Sequence, residues 1–168
     1  MVVSGWGVRV RHSGITVGAF GEPGEQLSVG VIVSADGGGA TLRRVTADVP
    51  EGAKVTWSVY QGKNGHGFGT AKGALEPTWP VESVSGHAIS ADVDDTTFLI
   101  ATITATRPGM YRLSGITVEY QSGWRHRTVD SGYTACFLVT SPGQTYQQLE
   151  AADTPDWQRY SACNGGTT

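Results

Sequence analysis

Charge is scarce in this chain. Asp, Glu, Lys and Arg make up 16% of its 168 residues, against roughly 25% in an average protein. Twelve basic residues stand against fifteen acidic ones, for a net charge of −3, and no dense basic block occurs. Binding to nucleic acid through bulk positive charge is therefore excluded, and composition implies no polyanion partner. The hydrophobic share of 39% is too high for a disordered, charge-rich tail.

Cysteine is also scarce, with only Cys136 and Cys163. No Cys-x-x-Cys or Cys/His spacing exists, and His12, His66, His87 and His126 are scattered, which argues against zinc. No apolar run is long enough to span a bilayer. The opening Met1-Val2-Val3-Ser4-Gly5-Trp6 lacks the basic start and apolar centre of a secretory leader. If the protein is exported, its leader or anchor is expected outside this chain. The Gly-x-Ser-x-Gly elbow, His-Glu-x-x-His and Cys/His nucleophile signatures are missing. That leaves enzymatic activity only to a Ser/His/Asp set assembled in space. No cofactor motif is found, and the expectation is a protein that is not an enzyme.

What is abundant is glycine, at 24 residues, about twice the usual ~7%. The glycines fall mostly between apolar runs, where a multi-stranded protein needs turns. The runs themselves alternate. Leu99, Ala101, Ile103 and Ala105 take one face of a segment whose other face is Ile100, Thr102 and Thr104. That is the period of a half-buried strand. Gln26–Ser34 repeats it with Leu27, Val29, Val31 and Val33 inward, and only Ile32 breaks the pattern. From Phe98 to Thr140 the chain reads as consecutive strands, broken at Arg107-Pro108-Gly109 and at Gln121-Ser122-Gly123. Two phase changes predict bulges, one near Arg43-Arg44 and one near Ser114-Gly115. The fold expected is an antiparallel all-β sandwich of about seven to nine strands over residues 1–140. A short helical tail over residues 141–168 is expected to pack on it.

Thr154-Pro155-Asp156-Trp157 looks like a helix N-cap followed by Pro at the first helical position. On the preceding strand Phe137 and Val139 face the core, so Cys136 and Leu138 face the other way. A Cys136–Cys163 disulfide would then staple the tail across that outer face, with Trp157 or Tyr160 over Leu138. The alternative is two unrelated thiols.

Three segments and two acid pairs are candidates for chemistry. Trp124-Arg125-His126-Arg127, beside the Gln121–Gly123 turn, places an aromatic next to two arginines. Such a set can grip a carboxylate, a phosphate or a sugar ring. Its ordinary reading is a hairpin with Trp124 paired across strands and the arginines solvating an edge. It is the best binding patch in the sequence. Asp92-Val93-Asp94-Asp95 offers hard oxygens but lacks the spacing of a calcium loop, so a solvated turn is expected. Lys63–Gly69 lacks the Gly-Lys-Ser/Thr ending of a phosphate loop. It sits in the irregular stretch Gly62–Pro80, whose length suggests a functional or mobile loop, with Phe68 at the tip as a contact anchor. Glu22 with Glu25, and Glu76 with Glu82, are paired acids without an apolar pocket signature.

Trp57 and Pro108-Gly109-Met110-Tyr111-Arg112-Leu113 resemble an immunoglobulin-like or fibronectin-type β-sandwich. The resemblance implies a core Trp at Trp57 and a tyrosine corner at Tyr111. Leu113 falls where antibody-type domains carry Cys, and no Cys near Val29 or Val31 exists to pair with it. The run Pro-Gly-x-Tyr, Val-Glu-Tyr, a Gly turn and Ala-Cys-Phe-Leu-Val is similar to extracytoplasmic domains of actinobacterial envelope proteins of unknown function. These likenesses imply a non-catalytic, extracytoplasmic binding or interaction domain with a protein or glycan partner, and no nucleic acid or membrane insertion. Five Trp and six Tyr keep a carbohydrate-binding module open, and edge strands keep open a structural part of a larger assembly such as a phage or injection particle.

Overall fold

The computed structural model describes residues 8–10, 18–35, 39–63, 67–89 and 95–163. Among these residues eleven strands precede two helices: β1 (Val8–Val10), β2 (Gly18–Gly21), β3 (Gln26–Ala35), β4 (Ala40–Asp48), β5 (Ala53–Lys63), β6 (Thr70–Lys72), β7 (Ala88–Ile89), β8 (Asp95–Ala105), β9 (Gly109–Ser122), β10 (Arg125–Asp130), β11 (Ala135–Val139), α1 (Tyr146–Ala152) and α2 (Pro155–Cys163). β1, β6 and β7 have three residues or fewer.

Two sheets form. One runs β1-β3-β8-β5, with β6 beside β3; the other runs β2-β11-β9-β4-β7, with β10 beside β9. Constant-type immunoglobulin domains place strands A-B-E-D in one sheet and C-F-G in the other. Here β1-β3-β8-β5 follows the first order and β4-β9-β11 the second. Pairing is antiparallel except that β2 runs parallel to β11.

Leu27, Val29, Val31, Val33, Leu99, Ala101 and Ile103 face Leu42, Leu113, Ile116, Val118 and Phe137 across the main core. The bulges fall where the phase changes place them. β4 slips register between Leu42 and Arg44, and again between Thr46 and Asp48. Leu113 and Ile116 both reach the core because Gly115 takes the extra position at φ +60. That left-handed backbone favours glycine, and an added Cβ would also push the Asp48 carboxylate aside.

The tyrosine corner is present. The Tyr111 hydroxyl donates to the Arg107 carbonyl at 2.9 Å, bridging the turn between β8 and β9, and Leu113 is fully buried two residues on. Tyr111→Phe should cost about 1 kcal/mol, the usual net worth of one such bond, measured by urea unfolding. Trp57 does not take the role the resemblance implies. It lies on β5, in the D position rather than C, and is only partly buried against the core.

Each sheet is covered over part of its outer face. Cys136 and Leu138 meet Leu149, Trp157 and Tyr160 beneath the tail, and the Cys136–Cys163 disulfide ties α2 to β11 across 6.3 Å between Cα atoms. Thr145 caps α1 in a reciprocal capping box with Gln148. Thr154 caps α2, its hydroxyl accepting from the Trp157 amide at 3.3 Å. On the other sheet Phe68, Leu75, Phe98 and Ile100 form a further cluster, joined by Ile32, Tyr60, Trp79 and Val81. β8 is therefore buried on both faces rather than one, and Ile32 breaks the alternation because this layer covers it. Gly30 is the landing point. Its amide donates to the Gly69 carbonyl at 3.0 Å, and a Cβ there would lie 2.9 Å from the Phe68 carbonyl oxygen.

Candidate functional site

Among the described residues a polar sheet surface is open over β4, β9 and β10. Its tip is the β9–β10 hairpin. Ser122 pairs with Arg125, so the turn residues are Gly123 and Trp124, one step later than the sequence places them. This shift takes Trp124 out of the strand ladder. It has no cross-strand partner in the ladder and stands at the tip, 81% exposed. The Arg125 guanidinium lies over the indole ring, 4.9 Å from its centroid, a cation–π contact that holds both side chains.

Behind the tip the β4 bulge matters. Leu42 and Val45 both point inward, so Arg43 and Arg44 both stay in solvent. Bulges re-aim side chains in this way. Arg43 donates to Gln121 Oε1, and Gln121 Nε2 donates to the Gly123 carbonyl at 2.9 Å. One glutamine thus fixes the arginine and the hairpin turn together. Arg43, Glu119, Tyr120, His126, Arg127 and Thr128 line a cleft of about 190 Å³. A second cleft of about 370 Å³, on Thr41, Gln121 and Gly123, shares the Arg43 wall. The structure therefore puts His126 and Arg127 in one cleft with Arg43 and Glu119 and leaves Arg125 with Trp124 at the tip; sequence reading did not connect Arg43, Gln121 and Glu119 to the hairpin. Adjacent arginines at a strand phase change were the available signal.

Phe68 does not belong to this site. It is 5% exposed and packs against Trp79 at 4.9 Å and Tyr60 at 6.3 Å between ring centroids. Its expected place as a surface anchor is corrected by the sheet beneath, whose outer apolar residues it covers. Asn64, Gly65 and His66 of the same loop, and Asp92, Val93 and Asp94, lie outside the described residues.

The acidic pairs are engaged locally. Glu25 accepts from the Glu22 amide at 2.8 Å and pairs with Lys72 at 3.1 Å. The backbone bond, the largest effect, outweighs the opposing effect of burial and, with help from Lys72, holds its carboxyl below the usual range. Glu22 itself accepts from the Gly143 amide at 3.0 Å, linking the β2–β3 loop to the tail. Glu82 Oε2 lies 3.0 Å from His87 Nδ1, and His87 Nε2 lies 3.3 Å from Gln61 Oε1. The Thr97 hydroxyl donates to that same Gln61 oxygen at 2.9 Å. Acid, histidine and hydroxyl thus align, but Gln61 separates the base from the hydroxyl, and Thr97 is 1% exposed. The chain of bonds ties β5, β8 and the 82–87 segment.

No helix among the described residues is long and apolar enough to cross a membrane. No protein-family model and no characterised relative match the sequence, so the likeness to actinobacterial envelope domains rests on strand and turn texture alone. Two solved structures are similar at low level. One is a family 123 glycoside hydrolase from Clostridium perfringens, 16% identical, with a TM-score of 0.42 over 78% of this chain. The chain spans 24% of that protein. The other is the CooA pilin subunit from enterotoxigenic Escherichia coli, 11% identical, with a TM-score of 0.37 over 79% of this chain and 98% of the pilin.

Proposed function

We propose that this chain is a non-catalytic, extracytoplasmic binding domain that engages a protein or glycan through its β4–β9–β10 surface. The observation that carries the reading is Trp124. A large aromatic is 81% exposed at the tip of an arginine-bearing hairpin, while Trp157 is buried and Trp57 and Trp79 are partly buried in clusters. Exposed aromatic and arginine side chains are the residues that dominate binding energetics. Gln121 positions Arg43 before any ligand arrives, which lowers the ordering cost of binding. The Cys136–Cys163 bond supports an oxidising compartment, since such bonds persist outside the cytoplasm. No catalytic role is assigned to any residue, and neither nucleic acid nor membrane insertion is part of this reading.

The test is an affinity capture from a cell-envelope extract, comparing the native domain with Trp124→Ala/Arg125→Ala. Both replaced side chains are exposed, so the double variant should keep its stability to within about 0.5 kcal/mol. The expected result is a partner or glycan retained by the native domain and lost by the variant. Equal capture by both would remove the hairpin from the site.

A second reading, a structural component of an assembly, draws on the outer edge of β5. That edge is bridged only at Val59–Glu82 among the described residues, and Val55 and Trp57 beside it are partly buried. Self-association that rises with concentration is what this reading requires if the partner is a second copy.

A further inference from the structure

We propose that the ligand of the β4–β9–β10 surface is an acidic oligosaccharide, one whose sugars carry carboxylates; this deepens the binding reading above and rests on it. Charge comes first. The chain is net negative at −3, yet Arg43 and Arg44 both stand in solvent on the Gln121 and Glu119 side of the sheet, and Arg127 lines the same cleft as Arg43. His126 joins them, with Glu119 as the acidic wall of the cleft that Arg43 and Arg127 share. Guanidinium groups are matched in geometry to carboxylates, which they bind in a fork.

Shape and polarity then select the class. A protein interface needs an apolar, desolvated centre ringed by polar groups. Among the described residues the large exposed hydrophobics are Val49, Trp124 and Tyr146, and only Trp124 lies on this surface. One aromatic plate beside two clefts whose linings mix Arg, His, Gln and Thr with apolar atoms suits a ligand with one hydrophobic face and many hydroxyls. A sugar ring has that form. It would stack on the indole face opposite Arg125, while hydroxyls and carboxylates of the neighbouring sugars meet Gln121, Thr41, Arg43 and Arg127.

The experiment titrates the native domain by calorimetry with matched pairs of glycans. These are hexagalacturonate against its methyl ester, hyaluronan hexasaccharide against its carboxyl-reduced form, and sialyllactose against lactose. A short oligo-dT is run beside them. The expected result is saturable binding of at least one carboxylated member, with its neutral partner weaker by about tenfold or more. Trp124→Ala and Arg43→Gln should each weaken that binding by about tenfold. Raising salt from about 0.05 to 0.5 M should weaken it further, as screening demands. Binding of no carboxylated glycan, equal binding of neutral forms, or preference for oligo-dT would overturn the proposal. If the glycans fail while the envelope capture still separates native from Trp124→Ala/Arg125→Ala, the ligand class falls and the binding surface stands.

Discussion

Phe68→Ala is expected to destabilise the protein by about 3–5 kcal/mol, the usual cost of truncating a buried aromatic. The residue comes from a loop that holds Gly67, Gly69 and Gly73, a composition that reads as mobile surface chain. In the structure this loop is a second layer. Phe68 sits over Ile100, which is fully buried, on the side of β8 that faces away from the main core. Its ring also meets Trp79 edge-on, a preferred aromatic geometry that adds to area burial. Removing it opens a cavity between loop and sheet and uncovers Phe98 and Tyr60 beside it. For a chain of this size the loss corresponds to a fall in melting temperature of roughly 10 °C, read by calorimetry. A change of less than about 0.5 kcal/mol, typical of a surface position, would mean that the layer contributes nothing.

Breaking the Cys136–Cys163 bond is the second large effect. The bond closes 27 residues, and on the chain-entropy model a loop of that length contributes about 3–4 kcal/mol. Cys136→Ala/Cys163→Ala should lose that amount, and reduction of the native protein should do the same. Alanine is the suitable replacement because Cys136 is fully buried, where a serine hydroxyl would add a desolvation cost. The loss should be local at first. Trp157 and Tyr160 pack on Leu138 only through the tail, so tryptophan fluorescence should shift to the red before the sandwich unfolds. Urea titration with that probe measures both steps. Loss of less than about 1 kcal/mol would mean that apolar packing alone holds the tail. A thiol titration of air-purified native protein should find no reactive cysteine, and two reduced thiols would weigh against an extracytoplasmic origin.

The inner faces of the strands were legible in the sequence because a two-residue period leaves no ambiguity about which side is buried. Leu27 to Val33 and Tyr111 to Tyr120 fall where their parity puts them, bulges included. The same logic placed Cys136 and Leu138 opposite Phe137 and brought the tail onto them. The outer layer over β8 was harder. Its residues are Ile32, Phe98 and Ile100, of which only Ile32 stands out in the sequence as a break in the half-buried pattern. An apolar residue on the supposed solvent face of a strand is a sign that something covers it. Phe68, Leu75, Trp79 and Val81, spaced through a glycine- and proline-rich loop, were the matching half.

The hairpin shows a different limit. Composition places Trp124 near a turn, but a one-residue change in turn position decides whether it pairs across strands or stands at the tip. Arg43 meets the hairpin only through β9, which joins β4 and β10 in one register. Contacts between segments some eighty residues apart follow from pairing, and no local pattern announces them.

The central claim is that the open β4–β9–β10 surface is where this domain binds. Backbone amide exchange, measured with and without the captured ligand, tests it most directly. The account predicts added protection at Thr41–Arg44 and Glu119–Thr128, with little change along β5 or α2. Protection confined to β5 or to the helical tail, with the hairpin unchanged, would contradict it.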